Sequence, residues 1–207
     1  TPAGFCGVTG FRPSPGLVPA TEASVGLNPF SVQGPMGRNV SDTYLLLQAQ
    51  VNLNRIDPFS GLDSLSMPDE LLGADLSGIK MAFSSDLGCA PVDNDIKSTF
   101  LKKIDTFKSN FLTADQGEPD FLDIHSCFEV IRGFNYVASH KDKLDNYKDL
   151  LGPNVIDNVE RGLKYSLADV SSAHVMQTKI YKNFRNFFNE YDVLICPAAS
   201  VSPYPHE

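Results

Sequence analysis

Chemistry in this 207-residue chain would have to come from four histidines, four cysteines and a few serine pairs. His125, His140, His174 and His206 are scattered, and none stands at metal-ligand spacing with Asp, Glu or Cys. Structural or exposed roles are predicted for all four, with no metal site. Cys6, Cys89, Cys127 and Cys196 form no Cys-x-x-Cys pair, which argues against zinc and against a redox motif. Their apolar or small neighbours predict buried free thiols in a reducing cytoplasm. Ser84-Ser85-Asp86 and Ser171-Ser172 lack the Gly-x-Ser-x-Gly or Ser-x-x-Lys context that makes a serine nucleophilic. His125 and Cys127 stand two apart on a predicted helix and so point to different sides, which disfavours a dyad. Gly4 to Gly10 has glycines without the Lys-Ser/Thr of a phosphate loop, and no cofactor is predicted.

The elements that would position these groups alternate between strand and helix. Residues 1 to 38 are rich in Pro and Gly, with Gly7–Arg12 as the best short strand. A helix follows, with Ser41 as its N-cap and Val40, Tyr44, Leu45, Leu47 and Val51 on a broad apolar side, running to about Asp57-Pro58. Residues 57 to 78 read as a surface connection. Ile79–Ser84 alternates like a strand, and Asp93 or Asn94 caps a helix whose Ile96, Phe100, Ile104, Phe107 and Phe111 share a face. Helices are predicted at about 123–139, 144–151, 155–163 and 167–191, ahead of an apolar run from Tyr191 to Pro197 that reads as a fully buried strand. The order is that of a layered α/β fold. The last long helix carries Val170, Ala173, Gln177, Ile180 and Phe184 along one side, a core stripe.

Composition narrows the classes further. With 42% apolar and 20% charged residues the chain reads as soluble and globular. The longest apolar runs, such as Tyr44–Leu47, fall far short of the roughly 18 residues of a membrane span. A net charge of −8 speaks against nucleic acid and anionic membranes as partners. Lys97, Lys102, Lys103 and Lys108 are interleaved with acids at helical spacing, a solvated face. The first residues lack the pattern of a signal peptide, and the missing initiator Met suggests a processed or excised chain. From the residues alone, the reading stops at an α/β domain without a self-contained active site.

Several blocks in a fixed order go further. Thr1-Pro2-Ala3-Gly4-Phe5-Cys6-Gly7-Val8-Thr9-Gly10-Phe11-Arg12-Pro13-Ser14-Pro15-Gly16 resembles the second half of the amidase signature, with Ser14 in place of the usual Thr. Gly34–Asp42, Leu76–Gly88 with Ala90–Asp93, and Glu190–Ala199 are similar to later blocks of the same family. The resemblance implies an α/β fold with a wide mixed sheet covered by helices on both faces, of which residues 1–207 are a partial domain lacking its catalytic N-terminal part and its C-terminal end. It also implies hydrolysis of a small-molecule amide by a serine nucleophile, relayed through a second serine on a cis peptide to a lysine base. Lysine serves as a base only when burial or a neighbouring cation lowers its pKa. By the family's motif the nucleophile is the third residue before Thr1, so no catalytic residue is expected in this chain and the chain alone is expected to be inactive.

Thr1 and Pro2, continuing the nucleophile loop, and Pro197, Ala198 and Ala199, beyond a strand end, are the expected walls of the substrate pocket. Two alternatives stand beside the amidase: the A-type subunit of a glutamyl-tRNA(Gln) or aspartyl-tRNA(Asn) amidotransferase, and a non-catalytic fragment whose exposed sheet edges favour pairing, including a homodimer.

Overall fold

The computed structural model describes residues 2–22, 24–61 and 67–203. Thr1 and His206 lie outside the described residues. The chain divides into two compact units, one made of residues 1–78, 90–111 and 196–207 and the other of residues 79–89 and 112–195.

The first unit starts with helix α1 (Pro2–Cys6) and a two-stranded antiparallel ribbon of β1 (Thr9–Gly10) and β2 (Met36–Gly37), in which Thr9 faces Gly37. The expected strand at 7–12 is thus present but shorter. Its glycine density has a steric reason at Gly16, whose φ of +85° is left-handed and where a Cβ would stand 2.0 Å from the Phe59 carbonyl oxygen. Asp57, 5% exposed, ties the same region together, accepting from the Ala20 and Phe59 amides through its two oxygens at 2.8 Å each.

Helix α2 (Val40–Gln50) is capped by Asn39, whose Oδ1 accepts from the Asp42 amide at 2.8 Å. The expected cap Ser41 lies inside the first turn instead, because the Asn-Val-Ser order places a capping oxygen two residues earlier. The helix stops at Gln50, short of Asp57-Pro58, and buries Thr43 and Leu47 while Leu45 faces solvent. Helix α3 (Asn94–Phe107) has Asp93 as its cap, as expected, and turns Ile104 inward at 1% exposure. A 3-10 turn at Lys108–Asn110 follows it.

The second unit holds a three-stranded parallel sheet in the order β4 (Thr113–Gln116), β3 (Lys80–Phe83), β5 (Val193–Ile195). Met81 pairs with Ala114 on one side and Val193 on the other. Central β3 buries Met81 and Ala82 completely. Strand β5 is half-buried rather than fully buried, because it pairs with β3 on one side and is the edge of this sheet among the described residues. Asp192 locks its start to β3: the Lys80 amide donates to the carboxylate at 2.8 Å, and the Asp192 amide donates to the Lys80 carbonyl at 2.9 Å. Strand β4 was not expected. Its sequence Thr-Ala-Asp-Gln is polar and mostly exposed, so no apolar alternation announces it.

Three helices complete this unit. Helix α4 (Ile124–Tyr147) is one continuous element where two were expected, and an i, i+4 ion pair between Lys141 and Asp145 carries it through the charged stretch. Helix α5 (Pro153–Gly162) begins with Pro153 at its first position and Gly152 as its cap. Helix α6 (Leu167–Phe187), ending before the expected Tyr191, starts with a reciprocal capping box between Ser166 and Asp169. Cys127 and Ile131 of α4 pack on Ala173 of α6, with Val130, Met176 and Ile180 around them. The predicted stripe on α6 thus narrows to one buried residue, Ala173, with Val170, Gln177 and Ile180 half-buried and Phe184 exposed. The α/β reading holds; among the described residues the second unit has a sheet of three parallel strands and the first a two-stranded antiparallel ribbon.

Candidate functional site

The structure brings part of the expected pocket wall together within the first unit. Pro2 opens α1 two residues before Gly4, and a Cβ on Gly4 would lie 3.6 Å from the Ala198 Cβ and 3.8 Å from that of Ala199. Small side chains on both sides therefore let α1 and the 197–199 segment approach closely. The next residue is anchored as well, since the Asp93 amide donates to the Ser200 carbonyl at 2.9 Å. Pro197 and Ala199 are half-buried, while Pro2 and Ala198 are exposed. None of these residues titrates or carries a nucleophile. They can shape a cavity but cannot move a proton.

No thiol or serine of the sequence analysis supplies the missing chemistry. Cys127 is buried and its Sγ–H donates to the Ala173 carbonyl, with burial first and the Asp123 carboxylate second pushing the thiol pKa up. Burial also raises Cys196, and raises Cys89 with help from Asp86 and Glu118. A catalytic thiol needs the opposite shift. The expectation of buried thiols is corrected in part: Cys6 is exposed, at the end of the short helix α1 that buries no residue, and Cys89, in a turn, and Cys196, just past β5, are intermediate. The ring of His125 binds the Cys89 carbonyl at 2.9 Å through Nε2, while Cys127 faces the α4–α6 contact, so the two do not form a pair. Ser84, 2% exposed, accepts from the Leu87 amide, and Ser171 donates to the Leu167 carbonyl. Both hydroxyls serve local backbone. Among the described residues no group of three or more His, Cys, Asp or Glu side chains is placed to hold a metal ion, and no helix is long and apolar enough to cross a membrane.

The second unit contains a polar cleft that sequence reasoning missed. It lies between α4 and α5, encloses about 420 Å³, and is lined by His125, Phe128, Glu129, Arg132, Asp157 and Arg161 among others. The two helices come close because Gly133 meets Gly162, where an added Cβ would be 2.9 Å from the facing Cα. Arg132 donates through Nε to Asn158 Oδ1 at 2.9 Å, and Arg161 pairs with Asp157 at 3.0 Å. These residues come from helices that no short motif links.

Comparison with known proteins places the chain. The family model for Amidase matches residues 1–207. An acylamidase of Rhodococcus erythropolis is 24% identical over 209 residues, covering 99% of this chain and 43% of that protein. The A-type subunit of the glutamyl-tRNA(Gln) amidotransferase of Bacillus licheniformis is 26% identical over 231 residues, covering 98% of this chain and 47% of that protein. The chain therefore spans less than half the length of these curated relatives. The crystal structure of a bacterial aryl acylamidase of the amidase signature family superposes with a TM-score of 0.81 at 18% identity, covering all of this chain and 44% of that one. With a family match from the first residue to the last, and the same blocks in the same order, this chain belongs to the amidase signature family.

Proposed function

We propose that the whole protein hydrolyses the amide bond of a small linear carboxamide, releasing a carboxylate and ammonia or an amine. The observation that carries this reading is the family match over residues 1–207, with an acylamidase among the similar proteins. In this reading the 207 residues are part of one amidase-signature domain. The attacking serine, the bridging serine and the lysine base come from sequence preceding Thr1. The serine oxygen adds to the carbonyl carbon while its proton passes through the second serine to the lysine, and returns to the departing nitrogen. Water then releases the acid. Thr1, Pro2, Pro197, Ala198 and Ala199 wall the substrate pocket. The small apolar side chains of Ala198 and Ala199 against Gly4 of α1 support that role, because they leave room for a flat amide without offering it a competing nucleophile.

The raised thiols and locally bonded serines support the corollary that this chain alone does not turn over. Free thiols at all four cysteines fit a cytoplasmic location. The test is direct. The 207-residue chain and the longest protein containing it are assayed with benzamide and with an acyl anilide. Turnover by the longer protein alone agrees with the reading; turnover by the pure 207-residue chain would sink the placement of the triad. Amidotransferase relatives at 24% to 26% identity favour a second reading, in which the substrate amide is glutamine and partner subunits receive the ammonia. Glutaminase activity that appears only with such partners would select it. The net charge of −8, with Lys97, Lys102, Lys103 and Lys108 interleaved with acids, weighs toward the first.

A further inference from the structure

The cleft between α4 and α5 presents a cation whose orientation is fixed and whose edge is open. Asn158, 7% exposed, donates through Nδ2 to the Asn154 carbonyl at 2.6 Å. That bond determines which side-chain atom is nitrogen, so Oδ1 faces Arg132 and accepts its Nε–H at 2.9 Å. The guanidinium carbon also stands 5.2 Å from the Tyr136 ring centroid and 5.9 Å from that of Phe128. Aromatic rings near a guanidinium displace water from its flat faces. What remains are the Nη groups on the edge, a planar fork of donors. None of the ion pairs found among the described residues includes Arg132.

The rest of the cleft narrows the ligand. Arg161 is a second guanidinium on the wall, and its pair with Asp157 at 3.0 Å is half-exposed, the kind of contact that exchanges easily for another partner. Glu129 and Asp157 balance Arg132 and Arg161, so the wall carries no net positive field with which to hold a phosphate dianion. A flat monoanion that matches the fork in two parallel bonds suits it better. We propose that this cleft binds a small carboxylate, held bidentately by the Nη groups of Arg132 and flanked by Arg161, with Phe128 and Tyr165 beside its apolar end. The proposal concerns binding by the 207-residue chain and stands or falls independently of the amidase reading.

The test is an NMR titration of the 15N-labelled chain with sodium benzoate at constant ionic strength, with benzamide as the neutral isostere. Saturable shifts at the Arg132 Nε–H and the Asn158 side-chain amide are expected for benzoate, with half-saturation at least about tenfold higher for benzamide. Arg132→Gln, read at the Asn158 side-chain amide, loses the saturable shift. Arg132→Lys keeps the charge but not the fork, and should also weaken binding about tenfold; it decides the matter if the glutamine variant does not fold. Absence of saturable shifts with benzoate, equal binding of benzamide, or wild-type binding by Arg132→Lys would each overturn the proposal.

Discussion

Replacing Gly162 with alanine tests whether the close crossing of α4 and α5 is as tight as the structure describes. The new Cβ would stand 2.4 Å from the Gly133 carbonyl oxygen, 2.7 Å from its carbon and 2.8 Å from Val137 Cγ2. Ordinary contact begins near 3.4 Å, so the helices must part by about 1 Å (3.4 − 2.4) at their tightest point. Two of the three obstacles are backbone atoms, which cannot rotate away as a side chain would. Overpacking costs about 1–3 kcal/mol, and rigid obstacles place this site near the top of that range. Alanine's better helix propensity returns at most about 1 kcal/mol. The net loss is then about 2 kcal/mol, which for a chain of this size lowers the midpoint of thermal unfolding by about 4–8 °C. Circular dichroism melts of Gly162→Ala beside Gly73→Ala measure it. Gly73 has open space around its missing Cβ and lies outside any helix or cap, so it should change little. A Gly162→Ala midpoint indistinguishable from wild type would refute the crossing geometry, and with it the walls of the cleft.

The other consequences can be checked with simple variants and probes. Asp57→Ala leaves the part-buried Ala20 and Phe59 amides without acceptors and should cost about 2 kcal/mol in urea unfolding, with Asp57→Asn costing less because one oxygen remains. Ser166→Ala removes the cap of α6 and should cost about 1 kcal/mol. The same change releases Asp169, whose pKa is held below 3.8 mainly by the Ser166 hydroxyl and then its amide, so NMR titration should show it rising. Because the folded pKa is the lower one, this contribution to stability is present above the unfolded pKa and fades as pH falls through the folded value. Thiol labelling near neutral pH should find Cys6 first, with Cys89 and Cys196 slower and accelerating only as pH climbs past the ordinary thiol value of 9.0; Cys127 should react only on unfolding. Rapid labelling of Cys127 in the folded chain would contradict the α4–α6 core.

How far the residues announced this arrangement depends on where the determining interactions lie. Asp93 as a cap and the Ile104 face of α3 were legible because each is written within one helical turn. The αL turn at Gly16 belongs to a segment whose glycine content signalled tight backbone, though the partner Phe59 lies 43 residues on and could not be named. Strand β4 escaped because an exposed strand with polar residues has no period to detect. The continuity of α4 escaped because His140-Lys141-Asp142-Lys143 looks like a loop by composition, whereas ion pairing across one turn makes it helical surface. The cleft was illegible for a related reason. Arg132 and Asn158 are separated by 26 residues on different helices, and their meeting depends on two glycines, Gly133 and Gly162, that sequence reading treats as interruptions. Those glycines let the helix backbones approach closely enough for a side chain on one to orient a guanidinium on the other. The cleft between α4 and α5 is thus a product of helix packing, and the ordered family blocks, which revealed the fold so readily, do not encode it.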